Sequence, residues 1–433
     1  MTRQVTVVGG GLAGSEAAWA LANHGFQVRL LEMRPVQPTA AHQTDRLAEL
    51  VCSNSFKSTE LGNAHGLLKA ELRELGSLLL ECADQARVPG GAALVVDREI
   101  FSRCAHDRLE ARPNVAIVRE EVADLPEPGV VATGPLTSQR LAQAISARLG
   151  TTSLSFYDAI APIVADESID RSLLYALSRY GKGDGDDYLN APLQREGYEG
   201  FIDALIAGDQ YQGHEFDQVP YFEGCLPVEE MAARGRETLR FGPMKPVGLP
   251  DPHSGREPWA VVQLRREDKA GQMWNLVGFQ TRLRIPEQQR VFRMIPGLGQ
   301  AEFLRYGSIH RNSYVNSPAS LGPGLATRDG KGVFFAGQIT GVEGYTESLG
   351  TGILAGVNLA RFLEGKPPAA PPPTTMLGGL LRYLREADPA HFQPMNANFG
   401  LLDPLPGKVR KEQKKALLAE RALAEFRAWK AGL

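Results

Sequence analysis

Cysteine is scarce in this 433-residue chain. The four thiols, at positions 52, 82, 104 and 225, form no Cys-x-x-Cys pair and have no histidine at ligand spacing. That pattern argues against a disulfide framework and a zinc site, and reads as a set of reduced cytosolic thiols. Long apolar runs are missing as well. The stretch around Leu78 to Leu80 falls far short of the roughly 18 residues needed to cross a bilayer, and no basic leader opens the chain, so neither membrane insertion nor secretion is expected. Nor does one sign of charge dominate: the net charge is -3. It conceals two basic stretches, with 12 Lys/Arg against 8 Asp/Glu from Pro227 to Arg293 and 6 against 2 from Lys408 to Arg421. Both suit an anionic partner, although solvated surface is the commoner use of such charge.

What is present fits a packed enzyme, with 43% hydrophobic and 22% charged residues. The length exceeds the roughly 250 to 300 residues at which one core stops growing, so two domains are expected. The first 34 residues read as a βαβ unit: strand Gln4 to Val8, helix Ser15 to Ala22, strand Gln27 to Glu32. Helical spacing continues from Leu67 to Gln85. Strand Ala93 to Val96 leads into a helix from Arg98 to Glu110, and Val115 to Arg119 and Val130 to Thr133 are further strands. Together they predict an open, mostly parallel sheet. After Gly150 short strands, aromatic residues and frequent Gly/Pro take over, including the turn-rich Gly181 to Asp187. The α/β pattern returns with Gly332 to Ala336 and a helix from about Leu349 to Leu363. The expected fold class is therefore α/β: a Rossmann-like dinucleotide-binding domain, residues 1–150 and 319–433, with an inserted α+β domain at 151–318. The Pro-rich Lys366 to Pro373 is a stiff spacer before a C-terminal helical region.

Gly9, Gly11 and Gly14 form G-x-G-x-x-G between strand and helix, with Gly10, Leu12 and Ala13 between them. Absent side chains there let backbone N–H groups and a helix N-terminus approach a pyrophosphate. Glu32, ending the next strand, suits a ribose and opposes a 2′-phosphate. Two later features favour FAD over NAD. One is the strand running into Thr133 and Gly134. The other is the turn Phe335 to Gly344, containing Gly337, Gln338 and Glu343, whose following helix offers N-terminal amides to the pyrimidine end of a reduced flavin. Among the thiols, Cys82 and Cys104 sit in apolar helical runs. Cys225, between Gly224 and Leu226-Pro227, looks presented rather than packed, and Cys52 has polar neighbours and Lys57 to favour a thiolate.

Four runs carry a resemblance: Gly224 to Leu249, Cys52 to Ser58, Ile309 to Pro318 and Phe392 to Gly400. They resemble the signature of the folate- and FAD-dependent tRNA uracil-5 methyltransferases. The resemblance implies formation of 5-methyluridine in the tRNA T-loop, with methylenetetrahydrofolate as carbon donor, FAD as carrier and reductant, and NADH or NADPH to recharge the flavin. Uracil C5 is a poor nucleophile, so a thiolate must add at C6, the role implied for Cys225. Flavin N5 would carry the methylene and supply hydride, and Cys52 is the implied base for the C5 proton. Glu343 and Tyr345 are the first candidates to meet folate. Arg236, Arg240, Lys245, Arg282 and Arg284 are candidates for tRNA phosphates, and the target uridine must leave its stack. The expected location is cytoplasmic, with no metal, membrane or obligate protein partner. Two alternatives stand beside this reading: the related flavoprotein that modifies the wobble uridine of tRNA, and a flavin oxidoreductase with no RNA substrate.

Overall fold

The computed structural model describes residues 4–39, 41–150, 154–211, 226–407 and 409–433. Apolar runs without alternation, such as Val7-Val8 and Leu30-Leu31, need cover on both faces, which is the situation of a parallel sheet. Five parallel strands form it, in the spatial order Val333–Phe335, Gly129–Val131, Gln4–Val8, Gln27–Glu32 and Val115–Arg119. Strand order reverses beside Gln4–Val8, so a crevice opens at the carboxyl ends of that strand and of Gly129–Val131, where α/β folds place ligands.

Helix Leu12–Asn23 leaves this crevice and packs against the long helix Tyr345–Leu363. Small residues set the closeness of that contact. A Cβ on Gly352 would lie 2.3 Å from the Ala13 carbonyl oxygen, and one on Gly356 would lie 2.7 Å from that of Ala17. Two buried carboxyl groups hold further helix starts: Glu16 accepts from the amides of Leu78 and Leu79 at 3.2 and 2.9 Å, and Glu71 from those of Met376 and Leu377 at 2.7 and 2.8 Å. They supply caps where the first-turn amides have no partner of their own.

Two expectations change. The helical run from Leu67 to Gln85 is two helices, Ala64–Glu74 and Leu78–Gln85, because Gly76 turns left-handed (φ +72°) and Ser77 Oγ caps the second by accepting from Leu80 N. Strand Ala93–Val96 does not join the parallel sheet. It pairs antiparallel with Ser55–Ser58 and Arg87–Val88 in a separate three-stranded sheet. Leu94, Val95 and Val96 are buried in succession, and such a run does not say which sheet it enters.

A second core is inserted into the first. Its antiparallel sheet has the order Tyr175–Ala176, Tyr188–Leu193, Ala260–Arg266, Met273–Leu276, Ile163–Ala165 and Phe303–Arg305. Helices Arg195–Ala207 and Ile285–Phe292 bury Tyr198, Phe201 and Phe292 in a cluster separate from the first. The paired strands Leu154–Ile160 and Ser308–Tyr314 lead out to this unit and back.

Two outcomes are expected. Gly352→Ala forces the helix pair apart and lowers unfolding stability by about 1–3 kcal/mol in denaturant titration. Burial raises the Glu71 carboxyl from 4.5 to about 8. A raised folded-state value means a contribution complete below pH 4.5 and lost as pH climbs towards 8. Glu71→Gln should flatten that part of the stability profile; an unchanged slope between the two pH values contradicts the assignment.

Candidate active site

A cavity of about 420 Å³ lies at the reversal of strand order. Gly9, Gly11, Leu12, Ala13, Glu32, Cys52, Thr133, Gly134, Gly337, Gln338, Glu343 and Tyr345 all line it. Residues more than 290 positions apart are thus brought to one cavity. Gly10 and Gly14 serve it from behind. The Gly10 amide donates to Glu32 Oε2 at 2.9 Å, and a Cβ on Gly14 would lie 1.7 Å from the Gly9 carbonyl oxygen.

Both helices that meet at the glycine seam begin at this cavity, Leu12–Asn23 after Gly11 and Tyr345–Leu363 after Gly344, and neither has a side-chain cap. A Cβ on Gly11 would meet nothing within 4 Å. Open space before an uncapped helix start fits a pyrophosphate, and the second helix start fits an electron-rich ring edge. On these observations the residues present fit FAD.

Glu32 is more committed than sequence reasoning expected. Besides the Gly10 amide, its carboxylate accepts from Arg34 Nε at 2.9 Å and Arg34 N at 3.0 Å, and Arg34 reaches Glu49 at 3.1 Å. Burial alone would raise the Glu32 carboxyl, but the hydrogen bonds and charge of Arg34 bring it below the usual range. It therefore stays an acceptor. With Arg34 held between two carboxylates, its charge is already matched where a 2′-phosphate would need it. Sequence reasoning missed Arg34; its place two residues after the strand-ending acid was the available signal.

The segment around Cys52 is held from several sides. The Tyr345 hydroxyl accepts from the amides of Cys52 and Ser53, at 3.0 and 2.9 Å, and donates to the Ser53 carbonyl at 2.8 Å. Its ring centroid lies 5.5 Å from that of Phe56. Tyr345 is thus a brace for the thiol segment, with its hydroxyl engaged there. Arg98 donates to the carbonyls of Leu50 and Cys52, and Arg305 to that of Val51. Burial works against charge on Arg98, but Glu267, at 2.8 Å, more than restores it. Arg98 and Arg305 both act electrostatically on Cys52. Lys57 also lines the cavity, with its charge acting on the buried Glu347 and on Lys69. The cationic surroundings expected from Lys57 thus include two arginines that local sequence did not indicate. Glu343 accepts from Gln338 Nε2 at 2.6 Å, joining two predicted residues of the distal turn.

Cys225 lies outside the described residues. In the described chain that follows, the amide of Val228 donates to the Gln280 carbonyl at 2.8 Å, and Val277, Gly278 and Gln280 line the cavity. Four of the five basic candidates carry carboxylate partners: Arg236 with Glu199 and Asp203, Arg240 with Glu237, Arg282 with Glu230, and Arg284 with Asp209. Lys245 is exposed. Among the described residues no group of acidic, cysteine or histidine side chains could hold a metal, and no helix is long and apolar enough to cross a membrane.

The family model described as "Glucose inhibited division protein A" matches residues 4–367. A protein of Geobacter sulfurreducens named methylenetetrahydrofolate--tRNA-(uracil-5-)-methyltransferase TrmFO is 57% identical over 431 residues, covering 99% of each chain. The chain belongs to this family. A Thermus thermophilus protein of the same name is 54% identical, over 99% of this chain and 97% of its own. A solved structure of Aquifex aeolicus GidA superposes with a TM-score of 0.69 at 17% identity, covering 98% of this chain and 74% of that one. It supports the fold: Rossmann-like, with helices on a parallel sheet.

Tyr345→Phe removes the acceptor for two amides, a loss of about 2 kcal/mol of local restraint. Alkylation of Cys52, followed by mass spectrometry, should accelerate severalfold while flavin absorbance is retained. An unchanged rate would contradict the bracing role.

Proposed function

We propose that the protein methylates the T-loop uridine of tRNA at C5, with methylenetetrahydrofolate as carbon donor, FAD as cofactor and NADH or NADPH as reductant, in the cytoplasm. The observation that carries this reading is that Cys52 lines the same cavity as Gly9 and Gly11, braced by Tyr345, the first residue after the distal glycine turn. The names of the Geobacter and Thermus relatives support it. The domain division that goes with it is 1–150 with 319–433, and 151–318.

Gly9 to Gly14 would hold the pyrophosphate of FAD, which would supply carriage of the one-carbon unit and the reducing equivalents. The remaining tasks fall to the chain. Cys225 adds as thiolate to uracil C6, so that electron density builds at C5. Cys52 takes the C5 proton, with Arg98 and Arg305 holding the carbonyls of its segment. Glu343, held by Gln338, and Tyr345 remain the candidates beside folate. Contact with tRNA phosphates is assigned to Lys245 and the exposed Lys411, Lys414 and Lys415 of the last helix, together with the paired arginines where RNA displaces their carboxylates.

Incubation with unmodified tRNA, methylenetetrahydrofolate labelled in its one-carbon unit and reduced nicotinamide should place label in 5-methyluridine. Label in a wobble base, or none in RNA, would falsify the proposal. Cys225→Ala should abolish turnover and leave the protein yellow; a colourless variant indicates a structural thiol instead.

A further inference from the structure

One polar wall of the cavity has no role in the steps above. Asn275 belongs to strand Met273–Leu276 of the inserted sheet, and Asn312 to the connecting strand Ser308–Tyr314. They are 4% and 3% exposed, and both line the cavity. Neither carboxamide has a hydrogen-bond partner among the described residues. Their polar atoms open onto the cavity rather than into sealed core, so a ligand that displaces water there must replace its hydrogen bonds.

Their surroundings restrict what that ligand is. Asn275 stands directly opposite Arg265 in the antiparallel pair, so the two side chains share a sheet face. Arg265 donates to Ser53 Oγ at 3.0 Å and to Asn54 Oδ1 at 3.1 Å, which ties this face to the Cys52 segment. A carboxamide is neutral and carries one acceptor beside two donors. Its full complement is a planar ring edge in which an N–H adjoins a C=O, engaged through two parallel hydrogen bonds, as asparagine engages base edges in nucleic acids. A phosphate, which has only acceptors, leaves the carboxamide oxygen unsatisfied.

We infer that Asn275 and Asn312 determine specificity by reading the lactam edge, N–H beside C=O, of the planar ring that enters the cavity next to Cys52. This rests on the methyltransferase reading, which brings two such rings to the site: the target uracil and the reduced pterin of folate. The shared edge is what the amides recognise, and the test separates the two sources.

Asn275→Ala and Asn312→Ala, with Asn→Leu at each position to fill the space left, are compared with the wild-type holoenzyme. One arm titrates tetrahydrofolate and follows the flavin spectrum. The other measures KM and kcat for unmodified tRNA at saturating methylenetetrahydrofolate. A rise of about tenfold in the tetrahydrofolate Kd supports the inference and assigns the amide to the pterin. An equal rise in KM for tRNA, with folate binding unchanged, supports it and assigns the amide to uracil. It is overturned if neither arm moves in any variant, or if the variants purify without FAD, since the amides then serve the flavin. Should the wild-type protein itself neither bind tetrahydrofolate nor methylate tRNA, the methyltransferase reading fails first and this inference with it.

Discussion

Two helix starts converge on one cavity because side chains are missing where the helices cross. Gly352 and Gly356 let the long helix lie against the backbone of Ala13 and Ala17, while Gly14 tucks under the Gly9 carbonyl. Close packing of this kind tolerates no added methyl group without movement. It brings the start of Tyr345–Leu363 to the same cavity as the start of Leu12–Asn23. The dinucleotide glycines and the distal glycine turn, more than 300 residues apart, are in this sense one structural device.

From that convergence the placement of the thiol segment follows. Tyr345 is the first residue of the long helix, and its hydroxyl reaches across to the amides of Cys52 and Ser53. The inserted sheet closes the opposite side through Arg265, which holds Ser53 and Asn54. The segment is therefore referenced to both cores at once. Arg98 and Arg305 add carbonyl contacts and positive charge.

The basic surface has a different character. The arginines of the inserted unit are largely matched by nearby carboxylates, and exposed pairs of this kind add little stability. Arg236 and Arg284 are exposed in this way, Arg240 and Arg282 are partly buried against Trp259 and Gln210, and the buried Arg34 and Arg98 are fixed by Glu32, Glu49 and Glu267.

Much of the first core was legible in the sequence. Strands Gln4–Val8, Gln27–Glu32 and Val115–Arg119 and helix Arg98–Glu110 stand where periodicity put them, because hydrophobic spacing and glycine turns act within a few residues. The glycine motif, Glu32 and the distal turn, residues that line one cavity, were legible for the same reason. Which sheet Ala93–Val96 would join, that Tyr345 would brace Cys52, and that Arg98, Arg265, Arg305, Asn275 and Asn312 would gather about the thiol segment were decided by tertiary structure. Those contacts link positions tens to hundreds of residues apart, and a single chain read in order carries no periodicity across such distances. Local chemistry fixed the kinds of residue available; only the packing of the two cores selected which of them meet.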